Sequence, residues 1–215
     1  MLPEEIGVIA MGSHKERHGA ALPQDIDAKL ASYVAQEAAR KTGAKFLGVI
    51  YSSYELPGID TGEHHPMEVV LEELSSALWD AKQILGIKAA VIVNGHGGNN
   101  PIKEKLPAIE KKLGIKLVFN STLVELEGPH AATGELSMGL AIGVTNTSKL
   151  PEHTNFSLYP EVGFVGLEEA KRKYRWAEEQ AREVQKFGIK VSHFVGEKLL
   201  QCAVADVIND IKEIS

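Results

Sequence analysis

Four short apolar runs dictate the kind of fold this chain can reach. They are Ile6–Met11, Lys45–Tyr51, Ala89–Asn94 and Ile115–Asn120. Each is too short for a stable helix and is bounded by Gly-containing or polar turns, so each reads as a strand. Little polar residue alternates within them, the pattern of strands covered on both faces in a parallel sheet. Between them lie helical patterns. One spans Asp27–Thr42 and stops at Gly43. Another spans Met67–Leu85, carries Val70, Leu74, Ala77, Leu78, Ala81 and Leu85 on one stripe, and stops at Gly86. A third, Ile102–Leu113, follows Pro101 and stops at Gly114. Strand and helix in alternation predict an α/β fold, a three-layer α/β/α sandwich around a mostly parallel sheet.

The remaining third of the chain reads as helical. Leu167–Phe187 mixes both charge signs and reads as one helix with a solvated outer face. Leu200, Ala203, Val204, Val207, Ile208 and Ile211 recur at helical spacing and predict a C-terminal helix packed on the sheet. Ser52–Pro66 is irregular and long enough for a binding loop or lid. No repeat or linker divides residues 1–215, so one domain is expected.

Composition narrows the function classes. The formal charge is -6, which argues against general affinity for nucleic acid or anionic membrane. The single cysteine, Cys202, permits no internal disulfide and fits a reducing compartment. The first residues show no basic start followed by a greasy segment, and no 18-residue apolar stretch occurs. A cytoplasmic location is expected.

The polar clusters fall just after predicted strands, where open α/β sheets bind ligands. Gly12–Gly19 follows the first, with Asp27 beyond it. Asn94–Asn100 follows the third, and His130–Glu135 comes after the fourth. Glu16 and His18, two apart in extended backbone, can face one ion. Asp27, at the start of a helix, can offer two oxygens, although by itself it is as well read as a helix cap. His96 sits between glycines that permit a sharp turn. A mixed set of Glu16, His18, Asp27 and His96 suits Zn(II), Mn(II) or Fe(II).

Three segments, GSHKERHGAALPQDID at 12–27, NGHGGN at 94–99 and HAATGELS at 130–137, together resemble the creatininase (creatinine amidohydrolase) family. The resemblance implies metal-dependent amide hydrolysis in a homo-oligomer, with one or two ions, foremost Fe(II), held by Glu16, His18, Asp27 and His96. Within the family, His18–Tyr51 and the extra residue between Ser13 and Glu16 are similar to a branch of deformylases. Those enzymes take a phosphorylated formylaminopyrimidine in flavin and deazaflavin-coenzyme biosynthesis.

His130 is then the candidate general acid, since an imidazole of pKa about 6.5 suits proton transfer near neutrality. Glu135 is a second candidate catalytic group, orienting that imidazole or acting as base. Candidates for holding the substrate are Lys15, Arg17, His64, Asn99 and the N–H groups at Gly98–Asn100. Three positions depart from the family pattern: Ala21 for a second His, Leu136 for a Thr, and Gly98 where creatinine-hydrolysing members carry a metal-binding Glu. The second ion is accordingly weaker, absent, or held by Glu135. Two alternatives stay open: an amidohydrolase acting on creatinine or another cyclic amide, and a non-catalytic sugar-phosphate-binding protein.

Overall fold

A computed structural model describes residues 1–215. The four strands are β1 (Ile6–Met11), β2 (Lys45–Ile50), β3 (Ala89–Asn94) and β4 (Lys116–Asn120). All pair in parallel, in the order β2-β1-β3-β4. Every residue of β1 and β3 is buried, which explains why their sequences carry no polar face. The β1–β2 ladder shifts register between Val8 and Ala10. The extra residue lies in β2 at Gly48, whose φ of 109° only glycine adopts readily.

The helices α1 (Ile26–Thr42), α2 (Met67–Leu85) and α3 (Leu106–Leu113) each close on a left-handed glycine, Gly43, Gly86 and Gly114. The short α4 (Thr122–Glu127) follows β4, then come α5 (Thr133–Ala141), the single turn α6 (Leu150–His153), α7 (Glu168–Lys173), α8 (Arg175–Phe187) and α9 (His193–Ile214). Side chains alternate across the sheet and build two cores. Ile6, Val8 and Ala10 face the helices α1, α5 and α9. Ile9 and Met11 face α2 and α3. The expected three-layer α/β/α architecture is therefore present.

Three local expectations change. The segment after Pro101 does not start as α-helix: Gly97–Lys105 winds as a 3-10 helix and α begins at Leu106. Pro107 is the reason, because it has no N–H to give to Lys103 and its ring would meet that carbonyl. The charged segment 167–187 is two helices, broken at Tyr174, whose backbone is extended (φ -124°, ψ 116°). Its hydroxyl donates to Pro57 O at 2.9 Å, and its ring stacks on Trp176. Leu85 is 42% exposed rather than part of the buried stripe of α2.

The apolar stripe of α9 packs chiefly on α5 and α1 rather than on the sheet alone. The contact with α5 is backbone to backbone. A Cβ on Gly196 would lie 1.9 Å from Ser137 O. Gly196→Ala is therefore expected to destabilise the chain by about 1–3 kcal/mol, the usual range for overpacking. Urea midpoints of the two proteins check this, and an unchanged midpoint would mean the helices part without cost.

Candidate metal centre at the switch point of the sheet

β2 lies on one side of β1 and β3 on the other, so the strand order reverses between β1 and β3. Both strands end there, and open sheets of this kind leave a crevice at that point. Two glycines bring α1 up to it. A Cβ on Gly12 would stand 2.6 Å from the carbonyl carbon of Asp27, and one on Gly95 2.5 Å from its carbonyl oxygen. Only the bare backbone after each strand lets the first turn of α1 sit against both strand ends. Asp27 thus occupies the middle of the crevice.

Its two oxygens face two imidazoles. Oδ1 is 3.1 Å from His18 Nε2, and Oδ2 is 3.0 Å from His96 Nδ1. The other nitrogen of each ring is committed to a carbonyl: His18 Nδ1 to Glu16 O at 3.1 Å, His96 Nε2 to Tyr54 O at 3.0 Å. A carbonyl only accepts, so these nitrogens carry hydrogen and leave His18 Nε2 and His96 Nδ1 as potential ligand atoms. Glu16 adds its Oε2 at 2.8 Å from His96 Nδ1. Ser13 Oγ lies 2.8 Å from Glu16 Oε2 and 2.9 Å from Asp27 Oδ2, and its one proton serves either. Asn94 pins the His96 backbone from both sides, donating to its carbonyl and accepting from its N–H.

The third motif closes the far side. Glu135 accepts from Ala131 N–H through Oε2 at 2.7 Å. Its Oε1 lies 3.2 Å from His18 Nε2, is buried and makes no hydrogen bond. His130 sits over the centre, its ring 4.5 Å from that of His18, with Nε2 donating to Arg17 O at 2.9 Å. Ala131 holds a positive φ of 52°, unfavourable for a residue with a Cβ. That strain is held in place by Glu135, by His153 Nε2 on Ala131 O at 2.7 Å and by Gly163 N–H on His130 O at 2.7 Å.

The electrostatics are those of a cation site. Glu16, Asp27 and Glu135 are all buried, and buried carboxylates at such range need positive charge. Burial works against ionisation of Glu16, yet His96 holds its carboxyl well below the usual range. Burial likewise opposes charge on His18, but Glu135 and Asp27 push its pKa up to about 10. Burial raises Glu135 itself, and burial with Glu135 nearby raises Glu127 well above the carboxylate range. His18, Asp27 and Glu135 offer ligand atoms all within 4.8 Å of one another, as do Glu16, His18 and His130. The orphaned Glu135 Oε1 and the two imidazole nitrogens that face no carbonyl, His18 Nε2 and His96 Nδ1, fit a divalent ion that takes the place of their protons.

The sign of the His18 shift gives a pH prediction for chelator-treated protein. Its folded pKa is raised from 6.5 to about 10, so its stabilisation is fully present below 6.5 and is lost as pH climbs through about 10. Denaturation midpoints in chelator should fall steadily over that window. A flat profile would show that the imidazole is not ion-paired in the metal-free chain.

A cavity of about 520 Å³ opens from this centre. Glu16, His96 and His130 form its floor, and Phe164, Trp176 and Gln180 its wall. No Lys or Arg lines it. Lys15 pairs with Glu63 at 2.7 Å and Arg17 with Asp60 at 3.1 Å, both half-exposed on the outside of the loop 52–66. Asn99 is buried, accepting from Tyr54 N–H at 2.9 Å, and ties that loop to the second motif. His64 does not reach the cavity wall; its ring stacks on His96 at 5.2 Å.

Sequence reasoning missed several residues. Glu55 lines the cavity from the irregular loop, and Glu127 from the end of α4. Trp176 and Gln180 come from a helix read as solvated surface. A tryptophan amid eight charges on 171–183 was the available signal for that wall.

Fold and centre together define an α/β protein with a carboxylate–imidazole site at its switch point. A sequence profile described as creatinine amidohydrolase matches residues 3–154, and the chain belongs to the creatininase family. A protein of Methanosphaera stadtmanae named 2-amino-5-formylamino-6-ribosylaminopyrimidin-4(3H)-one 5′-monophosphate deformylase is 45% identical over 97% of this chain and 90% of its own length. The crystal structure of a creatinine amidohydrolase shares the fold at a TM-score of 0.69 with 16% identity, covering 97% of this chain and 90% of that one. A mutant creatininase described as of Zn-Zn type superposes at 0.67 with 17% identity, over the same shares of the two chains.

Proposed function

We propose that this chain hydrolyses the formamide of 2-amino-5-formylamino-6-ribosylaminopyrimidin-4(3H)-one 5′-monophosphate and releases formate. The observation that carries the hydrolytic reading is Asp27, whose two oxygens face the ligand nitrogens of His18 and His96. The substrate rests on the near full-length identity to relatives of that name.

In this reading Glu16, His18, Asp27 and His96 hold the cation, with Glu135 completing a second position. Fe(II) is our first choice, with Mn(II) or Zn(II) as alternatives. A divalent ion there supplies a Lewis acid for the formyl oxygen and brings the pKa of water toward neutrality. His130 stands at the cavity floor, where it can protonate the departing aryl amine. Glu135 holds the Ala131 N–H, and with it the loop that carries His130. Phe164 and Trp176 offer aromatic faces to the pyrimidine, and Gln180 an amide to its polar edge.

Charge orients the substrate. An interior with Glu16 and Glu55 and no Lys or Arg offers a phosphate no cationic side chain and admits a neutral ring. The 5′-phosphate therefore stays toward the mouth, with the formamide innermost. We place the enzyme in the cytoplasm as one domain over 1–215 that assembles into a homo-oligomer. No helix is long and apolar enough to cross a membrane.

Anaerobic incubation with Fe(II) and the formylamino substrate, read as formate release, tests the proposal. Creatine formation from creatinine in the same preparation, with no formate release, would instead support the cyclic-amide reading. Ligand binding that survives chelation and His96→Ala, without turnover, would point to a binding protein.

A further inference from the structure

The family resemblance leads one to expect a metal-binding Glu where this chain has Gly98. The structure explains why no side chain stands there. A Cβ on Gly98 would meet Tyr54 O at 2.3 Å, His96 Nε2 at 2.6 Å and Glu55 Oε1 at 2.7 Å. The loop after β2 fills that space with its own backbone and its own carboxylate. Glu55 is held there by Leu56 N–H on Oε1 at 2.6 Å and by Thr61 Oγ1 on Oε2 at 3.3 Å. Its side chain is 9% exposed, and Oε2 is 3.7 Å from His96 Nε2.

The same loop delivers an imidazole. His64 lies parallel to His96, and its nitrogens meet Ser53 Oγ at 3.1 Å and Thr61 Oγ1 at 3.2 Å. Thr61 gives its one proton to Glu55 Oε2, so it accepts from His64 Nε2, and Nδ1, beside Ser53 Oγ, is the nitrogen left free of hydrogen in the neutral ring. Glu16, Glu55, His64 and His96 present ligand atoms all within 4.8 Å of one another. Two carboxylates and two imidazoles suit a first-row divalent ion.

We propose that Glu55 and His64, supplied by the 52–66 loop, join Glu16 and His96 around one cation of the centre. This rests on the metallohydrolase reading above and adds residues that the three sequence motifs do not contain. Loop and metal then depend on each other: the ion fixes the loop that walls the cavity, and the loop completes the ion's ligands.

The test is Co(II) titration of the full chain after chelation and dialysis, read by visible absorption, with bound ions counted by plasma mass spectrometry. Wild type is compared with Glu55→Gln, His64→Gln and the cavity-mouth control Glu104→Gln. Gln keeps the shape of Glu55 and can still accept from Leu56 N–H, and circular dichroism confirms that each variant folds. Glu55→Gln and His64→Gln should each weaken one equivalent of Co(II) by about 10- to 100-fold, the range seen when a supporting group of a metal site is lost. The Glu104→Gln titration should match wild type. Unaltered titrations in both loop variants overturn this inference and leave the metallohydrolase reading standing. A wild-type chain that binds no ion overturns both.

Discussion

Asp27→Asn is expected to lower formate release by roughly 10³-fold or more, the scale of losing one preorganised electrostatic group. The substitution keeps the shape of the side chain and removes its charge. Asp27 is the one carboxylate that faces the ligand nitrogens of both His18 and His96. An amide presents one oxygen, so it can serve one of those two sides at most. Metal content should fall with activity. Stability should fall somewhat too: burial opposes charge on Asp27, yet His18 and His96 hold its carboxyl below the usual range, and a neutral amide gives up that pairing. Formate assays, ion analysis and melting curves on the same preparation separate the effects. Activity within tenfold of wild type, at normal metal content, would remove Asp27 from the centre.

His130→Gln should lower kcat by about 10²- to 10⁴-fold, the span for a positioned general acid, and leave the bound metal unchanged. The imidazole is close to the centre but only at its edge: Nε2 is 3.9 Å from Glu16 Oε1 and is already hydrogen-bonded to Arg17 O. A proton donor should therefore vanish without loss of the ion. His130→Gly with added imidazole offers a further check: rescue of kcat at an unchanged metal content marks proton transfer. If metal content falls in step with kcat, His130 is a ligand beside Glu16 and His18 and the acid must be sought elsewhere. Glu127 would then be the next group to change, since burial keeps its carboxyl protonated far above the usual range.

Much of this site was legible before the fold was known. Glu16, His18, Asp27 and His96 follow strands that the apolar runs announce, and strand ends converge in a parallel sheet. Glu135 could be proposed for the same reason, as part of a motif after β4. The roles given to Lys15 and Arg17 rested on charge alone, and the structure turns both outward to Glu63 and Asp60. Asn99 and His64 could be singled out, but not the direction of their side chains. One joins the loop to the second motif; the other stacks on His96.

Periodicity and turn chemistry act within a few residues of themselves. They alone determined the four strands, the glycine-stopped helices and the order in which polar clusters emerge from the sheet. Only tertiary packing decided that helix 167–187 would break at Tyr174 and bring Trp176 to the cavity. It also decided that Glu55 would take the space left at Gly98. Both depend on contacts between segments more than forty positions apart, Tyr174 with Pro57 and Glu55 with His96. Such contacts leave no period in the chain, because the energy that selects them exists only once the distant partners have met.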